Sequence, residues 1–351
     1  MQFFIDIDNG SVISGWLIPD NPGDTPELII KVASREDIQF KANVLRADLR
    51  DLGMHTTGLA GFHIDDSTVP DLCHLQDVTI VEAESGVIVY RRFNPERHKD
   101  RKLLIADASL LPQMRLLRGL SQHFAMSYPF ADRLSLETLS GVLSLRFTDS
   151  IFVGGGINWM RYGSLALEQN FVSCALLRDP FDELAEKLLF LSHLAKNPNK
   201  SPFSAYATFT SFSDVLPQVA KIDFSDDKSL LMAFRTMSPS IRRAFRSPMT
   251  KLYGSLPEED IQRRNVSVAL DNLAQFSIVG LREHFEQFSR MVNAQLDTAM
   301  FPTHALDELP TAFELGKRLA TIGLVLDLLD EDVALYSFAK EAWKNAEKAD
   351  V

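Results

Sequence analysis

Along the first 95 residues, apolar positions come in short alternating or continuous runs, at 11–18, Glu27–Val32 and 78–83, separated by clusters such as Pro19-Asp20-Asn21-Pro22-Gly23-Asp24. Runs of this length bounded by Pro, Asp, Gly and Asn read as β-strands, and they predict a small all-β sandwich or barrel over residues 1–95. Periodicity fades from 92 around Pro95, which marks 96–101 as a linker. From 102 the texture changes. Apolar runs at 103–106, 150–153 and 171–177 alternate with helical stretches at 112–123 and 181–195, and such alternation predicts βαβ units around a parallel sheet. The helix near 180 has a legible start: Asp179 suits the N-cap, Pro180 the first turn, and Asp182 and Glu183 the positive end of the dipole. Asn197-Pro198 stops it. Residues 312–349 read as two helices parted at 327–332, the second opening on Glu331 and Asp332 and closing on Lys340, Lys344 and Lys348.

Length agrees with this division, since 351 residues at roughly 150 per domain give about two units. Lys plus Arg number 36 against 47 Asp plus Glu, a net charge of −11. That excess opposes a surface built to neutralise phosphate backbones and removes nucleic acid from the expected partners. Cys73 and Cys174 are the only cysteines, too few for a disulfide framework and without zinc-ligand spacing. The eight His residues show no metal-ligand spacing either, so no metal is expected. The start of the chain lacks a basic stretch before an apolar core, and no run of about 18 apolar residues occurs. The expectation is a cytoplasmic chain without a membrane span.

Candidate chemistry begins at Leu177-Arg178-Asp179-Pro180, where a buried strand gives way to a helix. Ligands of open α/β sheets bind at this carboxyl edge, and an Arg beside free backbone N–H groups can hold an anion. Capping alone also explains Asp179-Pro180, with Arg178 simply pairing to an acidic neighbour. Residues 171–180 with the following helix resemble the strand and Arg-Asp-Pro turn of the sulfotransferases that use 3′-phosphoadenosine 5′-phosphosulfate (PAPS), especially bacterial and carbohydrate types. Residues 276–286 (FSIVGLREHFE) are similar to a second segment of that family, and 329–343 (LDEDVALYSFAKEAW) to its C-terminal helix. The resemblance spans roughly 101–348. It implies a three-layer α/β domain of P-loop-kinase-like architecture, preceded by the all-β sandwich.

The resemblance also implies a donor site, and the residues depart from it at three places. In the family a loop after the first strand, proline-lysine-threonine-glycine-glycine-threonine-serine, cradles the phosphosulfate. The corresponding stretch here is Ser109-Leu110-Leu111-Pro112-Gln113-Met114-Arg115. Leu110 takes the lysine position, Pro112 and Gln113 the glycine positions, and Arg115 the final serine position. Proline donates no N–H, and residues with a Cβ do not freely adopt glycine geometry. Where carbohydrate sulfotransferases carry a glycine-histidine turn, this chain has Gly154-Gly155-Gly156-Ile157-Asn158; a triple glycine is more often a packed turn than an anion nest. The family's 3′-phosphate is held by the Arg of Arg-Asp-Pro and a Ser eight residues on. Arg178 is kept, but Glu186 takes the serine position, and a carboxylate repels phosphate. Ser192, six residues further along the helix, falls on another face.

The basic cluster Arg242, Arg243, Arg246 and Lys251 is a candidate for clasping an anionic glycan or nucleotide, against a plain solvated helix face. Leu184, Leu188 and Leu191 form a core stripe. No nucleophile elbow or triad can be drawn, and no catalytic residue is assigned. In the first domain, Ile13-Ser14-Gly15-Trp16 with Arg46, Asp48 and Gly53 resembles a sandwich module found beside bacterial surface-polysaccharide transferases; Trp16 reads there as a packing residue ahead of a sugar platform. Two functions follow. In the first, the protein serves a surface-polysaccharide pathway as a degenerate sulfotransferase relative that binds a glycan or a pathway protein without sulfuryl transfer. In the second, it is an active transferase for PAPS or another donor, with Arg115, Arg178 and Arg246 rebuilding an anion site, Ser109 a further cofactor-binding candidate, and 3′-phosphoadenosine 5′-phosphate (PAP) as its product ligand.

Overall fold

The computed structural model describes residues 1–111, 113–197, 212, 214–302 and 306–349. Pro112, Pro198 and His304 lie outside the described residues, as does the side chain of Lys348. The chain divides into two compact units: Met1–Leu104 with Leu117–Gly154 and Leu165–Phe171, and Ile105–Leu116 with Gly155–Ser164 and Val172–Val351.

The N-terminal part carries β1 (Gln2–Asp8), β2 (Ile13–Ile18), β3 (Glu27–Val32), β4 (Ile38–Lys41), β5 (Val44–Leu45), β6 (Leu59–Ile64), β7 (Val78–Glu82) and β8 (Ile88–Arg91). They form two four-stranded antiparallel sheets, ordered β1-β2-β6-β5 and β4-β3-β7-β8. Alternation sets the faces. In β3, Leu28, Ile30 and Val32 are buried while Glu27 and Lys31 are exposed. At roughly 1.5–3 kcal/mol for each large apolar side chain fully buried, a one-residue slip of β3 would turn all three to solvent. Trp16 packs against Ile18, Leu49 and Ala60, and the Arg46 guanidinium, paired with Asp48 and Asp6, lies 6.0 Å from its ring centre.

The later strands are β9 (Lys102–Asp107), β10 (Met126–Tyr128), β11 (Ile151–Gly155), β12 (Val172–Leu177) and β13 (Ile278–Leu281). They make a parallel sheet of order β10-β11-β9-β12-β13. Ser173 to Leu177 in β12 are all buried, the continuous burial of a strand covered on both faces. Asp179 caps the helix Pro180–Lys196 as expected, its side chain accepting from the Phe181 and Asp182 amides. Leu184, Leu188 and Leu191 of that helix enter a core shared with Phe245, Leu315 and Leu319.

Two expectations need correction. The helix expected over 112–123 is shorter, Met114–Ser121, because the chain leaves β9 in a bend at Leu110 and Leu111. The first tail helix is interrupted, giving Ala312–Leu319 and Gly323–Leu328 before Asp330–Ala349. The break falls at β-branched Thr321 and Ile322, where the Ile322 amide bonds the Leu319 carbonyl in a tight turn.

Candidate functional site

The strand order places β9 at a switch point, with β10 and β11 on one side and β12 and β13 on the other. In open α/β sheets the crevice at the carboxyl ends of such strands is where ligands bind. β12 and β13 pair in register as far as Leu177 and Leu281, so the next residue on each strand, Arg178 and Arg282, leaves the sheet at the same level. Both guanidinium groups then meet the first turns of the helix Pro180–Lys196.

Glu183 and Glu186 stand three positions apart on that helix and share a face. Arg178 Nη1 lies 2.6 Å from Glu186 Oε2 and 3.8 Å from Glu183 Oε2. Arg282 Nη1 lies 3.1 Å from the same Glu186 oxygen and donates to Ser109 Oγ at 3.1 Å; its Nη2 donates to the Asp307 carbonyl at 3.0 Å. Ser109 Oγ in turn donates to Glu183 Oε2 at 2.8 Å, and its amide donates to Asp107. Glu186 and Arg282 are only 0% and 2% exposed at the side chain, so bulk water does little to screen them.

Burial shifts Glu186, Asp107 and Asp182 in and around this cluster. It pushes the Glu186 carboxyl above the usual carboxylate range, with Arg282 and Arg178 opposing only part of the effect. Asp107 is raised for the same reason, against the pull of Arg282. Asp182 rises to about 6, by burial and by the neighbouring Asp179. For Arg178, desolvation is outweighed by Glu183 and Glu186, which hold the guanidinium charged. Three atoms stay without a hydrogen-bond partner among the described residues: Arg178 Nη1, Glu186 Oε1 and Arg282 Nε. The pairing of Arg178 with Glu186 is thus a charge contact without hydrogen-bond geometry.

Leu110, at the lysine position, packs against the apolar core around Leu184 and Leu188. Gln113, at a glycine position, exchanges two hydrogen bonds with the backbone of Asp307. Ser109 and Arg178 are brought together. Arg115 is not: its side chain is 88% exposed and faces Asp307 Oδ1 at 3.5 Å. In the triple glycine, Gly155 has φ +117°, a conformation that residues with a Cβ rarely adopt, and its carbonyl accepts from the Ile157 amide. Asn158 anchors the carbonyls of Lys251 and Ser255, a bracing role.

The three arginines of the basic cluster have separate partners. Arg242, on the helix Pro239–Phe245, reaches the Phe234 carbonyl; Arg243 pairs with Asp260 at 2.8 Å; Arg246 pairs with the buried Glu331 at 2.6 Å. Among the described residues, no group of three or more His, Cys, Asp or Glu side chains could hold a metal ion, and no helix is long and apolar enough to cross a membrane.

Arg282 and Glu183 are the residues that sequence reasoning missed as members of the site. Arg282 sat in a segment read only for its resemblance, and Glu183 was read as a dipole partner. A signal existed: both segments place an Arg directly after an apolar strand, and parallel neighbours deliver such residues side by side. Compared with known proteins, the chain matches no family model and no curated protein.

Proposed function

We propose that this protein is a non-catalytic relative of the PAPS-dependent sulfotransferases, with a P-loop-kinase-like three-layer domain, that serves a bacterial surface-polysaccharide pathway by binding a glycan or a pathway protein. One observation carries the reading. The carboxylate of Glu186 occupies the space between Arg178 and Arg282, where a donor phosphate would have to sit, and with Glu183 it balances their two charges. A phosphate entering there must displace a buried carboxylate of like charge, and the loop after β9 offers Leu110 where a lysine would compensate. The second reading, a transferase with a rebuilt anion site, needs Arg115 beside Arg178, and Arg115 is turned to solvent.

The test is calorimetric titration of the full chain with PAP. The expected result is no heat at millimolar ligand. Saturable binding that Arg178→Ala abolishes would overturn the proposal and favour the transferase. The binding half is checked by surface plasmon resonance on immobilised bacterial capsular polysaccharides and by affinity capture with pathway proteins; silence in both leaves the chain without the proposed role.

A further inference from the structure

The two edges of the sheet ordered β4-β3-β7-β8 differ. At β8 the Ile88 carbonyl accepts from the Tyr128 hydroxyl at 2.7 Å, so a residue of the same unit engages that edge. At the other edge β4 has β3 as its only hydrogen-bonded neighbour among the described strands. The register shows which backbone groups of β4 face outward. In an antiparallel pair, residues that exchange hydrogen bonds alternate with residues that do not. Leu28 stands opposite Phe40 and Ile30 opposite Ile38, and in the same phase the Ala42 amide donates to the Pro26 carbonyl at 3.0 Å. Even-numbered residues of β4 therefore bond to β3. The N–H and C=O groups of Gln39 and Lys41 point away from the sheet.

The side chains divide by face in the same way. Asp37, Gln39 and Lys41 are exposed, while Ile38 and Phe40 are half-buried on the face that carries the buried Leu28 and Ile30. Across to β3, Lys41 Nζ lies 3.1 Å from Glu27 Oε1 and Lys31 Nζ lies 4.0 Å from Asp37 Oδ2. A positive and a negative charge thus flank Gln39 symmetrically on the exposed face.

We infer that β4 is the docking strand of a homodimer, in which two copies pair antiparallel about a two-fold axis at Gln39 and join their sheets edge to edge. The charges select both the partner and the register. Centred on Gln39, the pairing sets Asp37 of each copy opposite Lys41 of the other. The row across four strands then alternates in sign, from Glu27 and Lys41 of one copy to Asp37 and Lys31 of the second, and opposite charges directly across strands stabilise a sheet. On the inner face Phe40 meets Ile38 of the second copy, so half-buried side chains gain cover. A slip of two residues one way sets Lys41 against Arg35; the other way it sets Lys41 against Gln39 and Asp37 against Asn43, and the charge pairs are lost. The contact is self-complementary and consumes the free edge of each copy, so assembly stops at two. A pairing this short is smaller than a standard interface, which makes the dimer concentration-dependent. No residue of the ion-pair cluster takes part, so the inference is independent of the donor-site reading.

The experiment is sedimentation equilibrium of the full chain at low ionic strength, from micromolar to submillimolar concentration. The average mass is expected to rise from that of one chain toward that of two. Gln39→Pro removes the central outward N–H, a change that an edge strand accommodates where the N–H faces solvent; it should hold the mass at one chain with an unchanged far-ultraviolet circular dichroism spectrum. Asp37→Lys and Lys41→Asp each set like charges opposite one another and should raise the dissociation constant by about tenfold or more. Combined, the two substitutions exchange the signs and should restore most of the lost affinity. A single-chain mass at every concentration would leave the edge to a strand of another protein and overturn the inference. A dimer that Gln39→Pro leaves unchanged, or a double variant that pairs no better than the single ones, would overturn it as well.

Discussion

Arg178 and Arg282 leave adjacent parallel strands at the same register level and close on a single oxygen, Glu186 Oε2, at 2.6 and 3.1 Å. Two positive charges therefore share one buried oxygen at close range, with Glu183 Oε2 farther off at 3.8 and 3.9 Å. Removing the Glu186 charge is costly, since a broken buried pair typically loses 3–5 kcal/mol while the intact pair contributes little net.

Glu186→Ala is accordingly expected to destabilise the fold by about 3–5 kcal/mol. Urea unfolding should show a lower midpoint with an unchanged slope, the mark of lost stability without a changed denatured state. A loss under about 1 kcal/mol would mean that water or counter-ions already screen the cluster.

Arg282→Met should cost more than Arg178→Met. Arg282 also holds Ser109 Oγ and the Asp307 carbonyl, and hydrogen bonds from charged donors contribute about 1.5–3 kcal/mol each. The two single variants, compared by the same unfolding measurement, give the order directly.

Asp332 makes stability depend on pH. It accepts from the Met249 and Thr250 amides, yet burial raises its carboxyl to about 6. The folded state binds the proton more tightly than the unfolded state, whose value is 3.8. Its contribution is therefore fully present below about pH 4 and is lost as pH rises through about 6. The difference between 3.8 and about 6 sets a ceiling of about 3 kcal/mol. Measured by unfolding from pH 4 to 7.5, wild type should lose stability relative to Asp332→Asn across that window; parallel curves would show that Asp332 stays ionised.

Gly316 faces Asp182 across two helices, and a Cβ there would stand 2.3 Å from Asp182 Oδ1 and 3.2 Å from its Cα. Alanine in a helix normally gains about 1 kcal/mol over glycine. Here the clash should reverse the sign, so that Gly316→Ala lowers the thermal midpoint at a cost of about 1–3 kcal/mol.

The elements were legible where local physics decides them. Glu27–Val32, the Asp179 cap and the Pro180–Lys196 helix could be read from alternation, capping chemistry and apolar spacing. The break at Thr321–Ile322 was not, because the apolar pattern runs across it without a Gly or Pro at the turn itself. At the site, Arg178 and Ser109 were found from their place after strands. The partnership with Arg282 needs the adjacency of β12 and β13, separated by about a hundred residues, which no local pattern encodes. Glu186 was seen as an obstacle to phosphate; that it would itself serve as the anion for two arginines depends on geometry.

The bonds around Arg282 also tie together segments far apart in the chain. Ser109 bridges Glu183 and Arg282, Arg282 grips the Asp307 carbonyl, and the backbone of Asp307 is locked to Gln113. None of these can let go without exposing a charge or a carbonyl of another. The turn after β9 and the stretch around 307 should therefore open as one cooperative unit, their amides exchanging with solvent hydrogen at a common rate although nearly two hundred residues separate them.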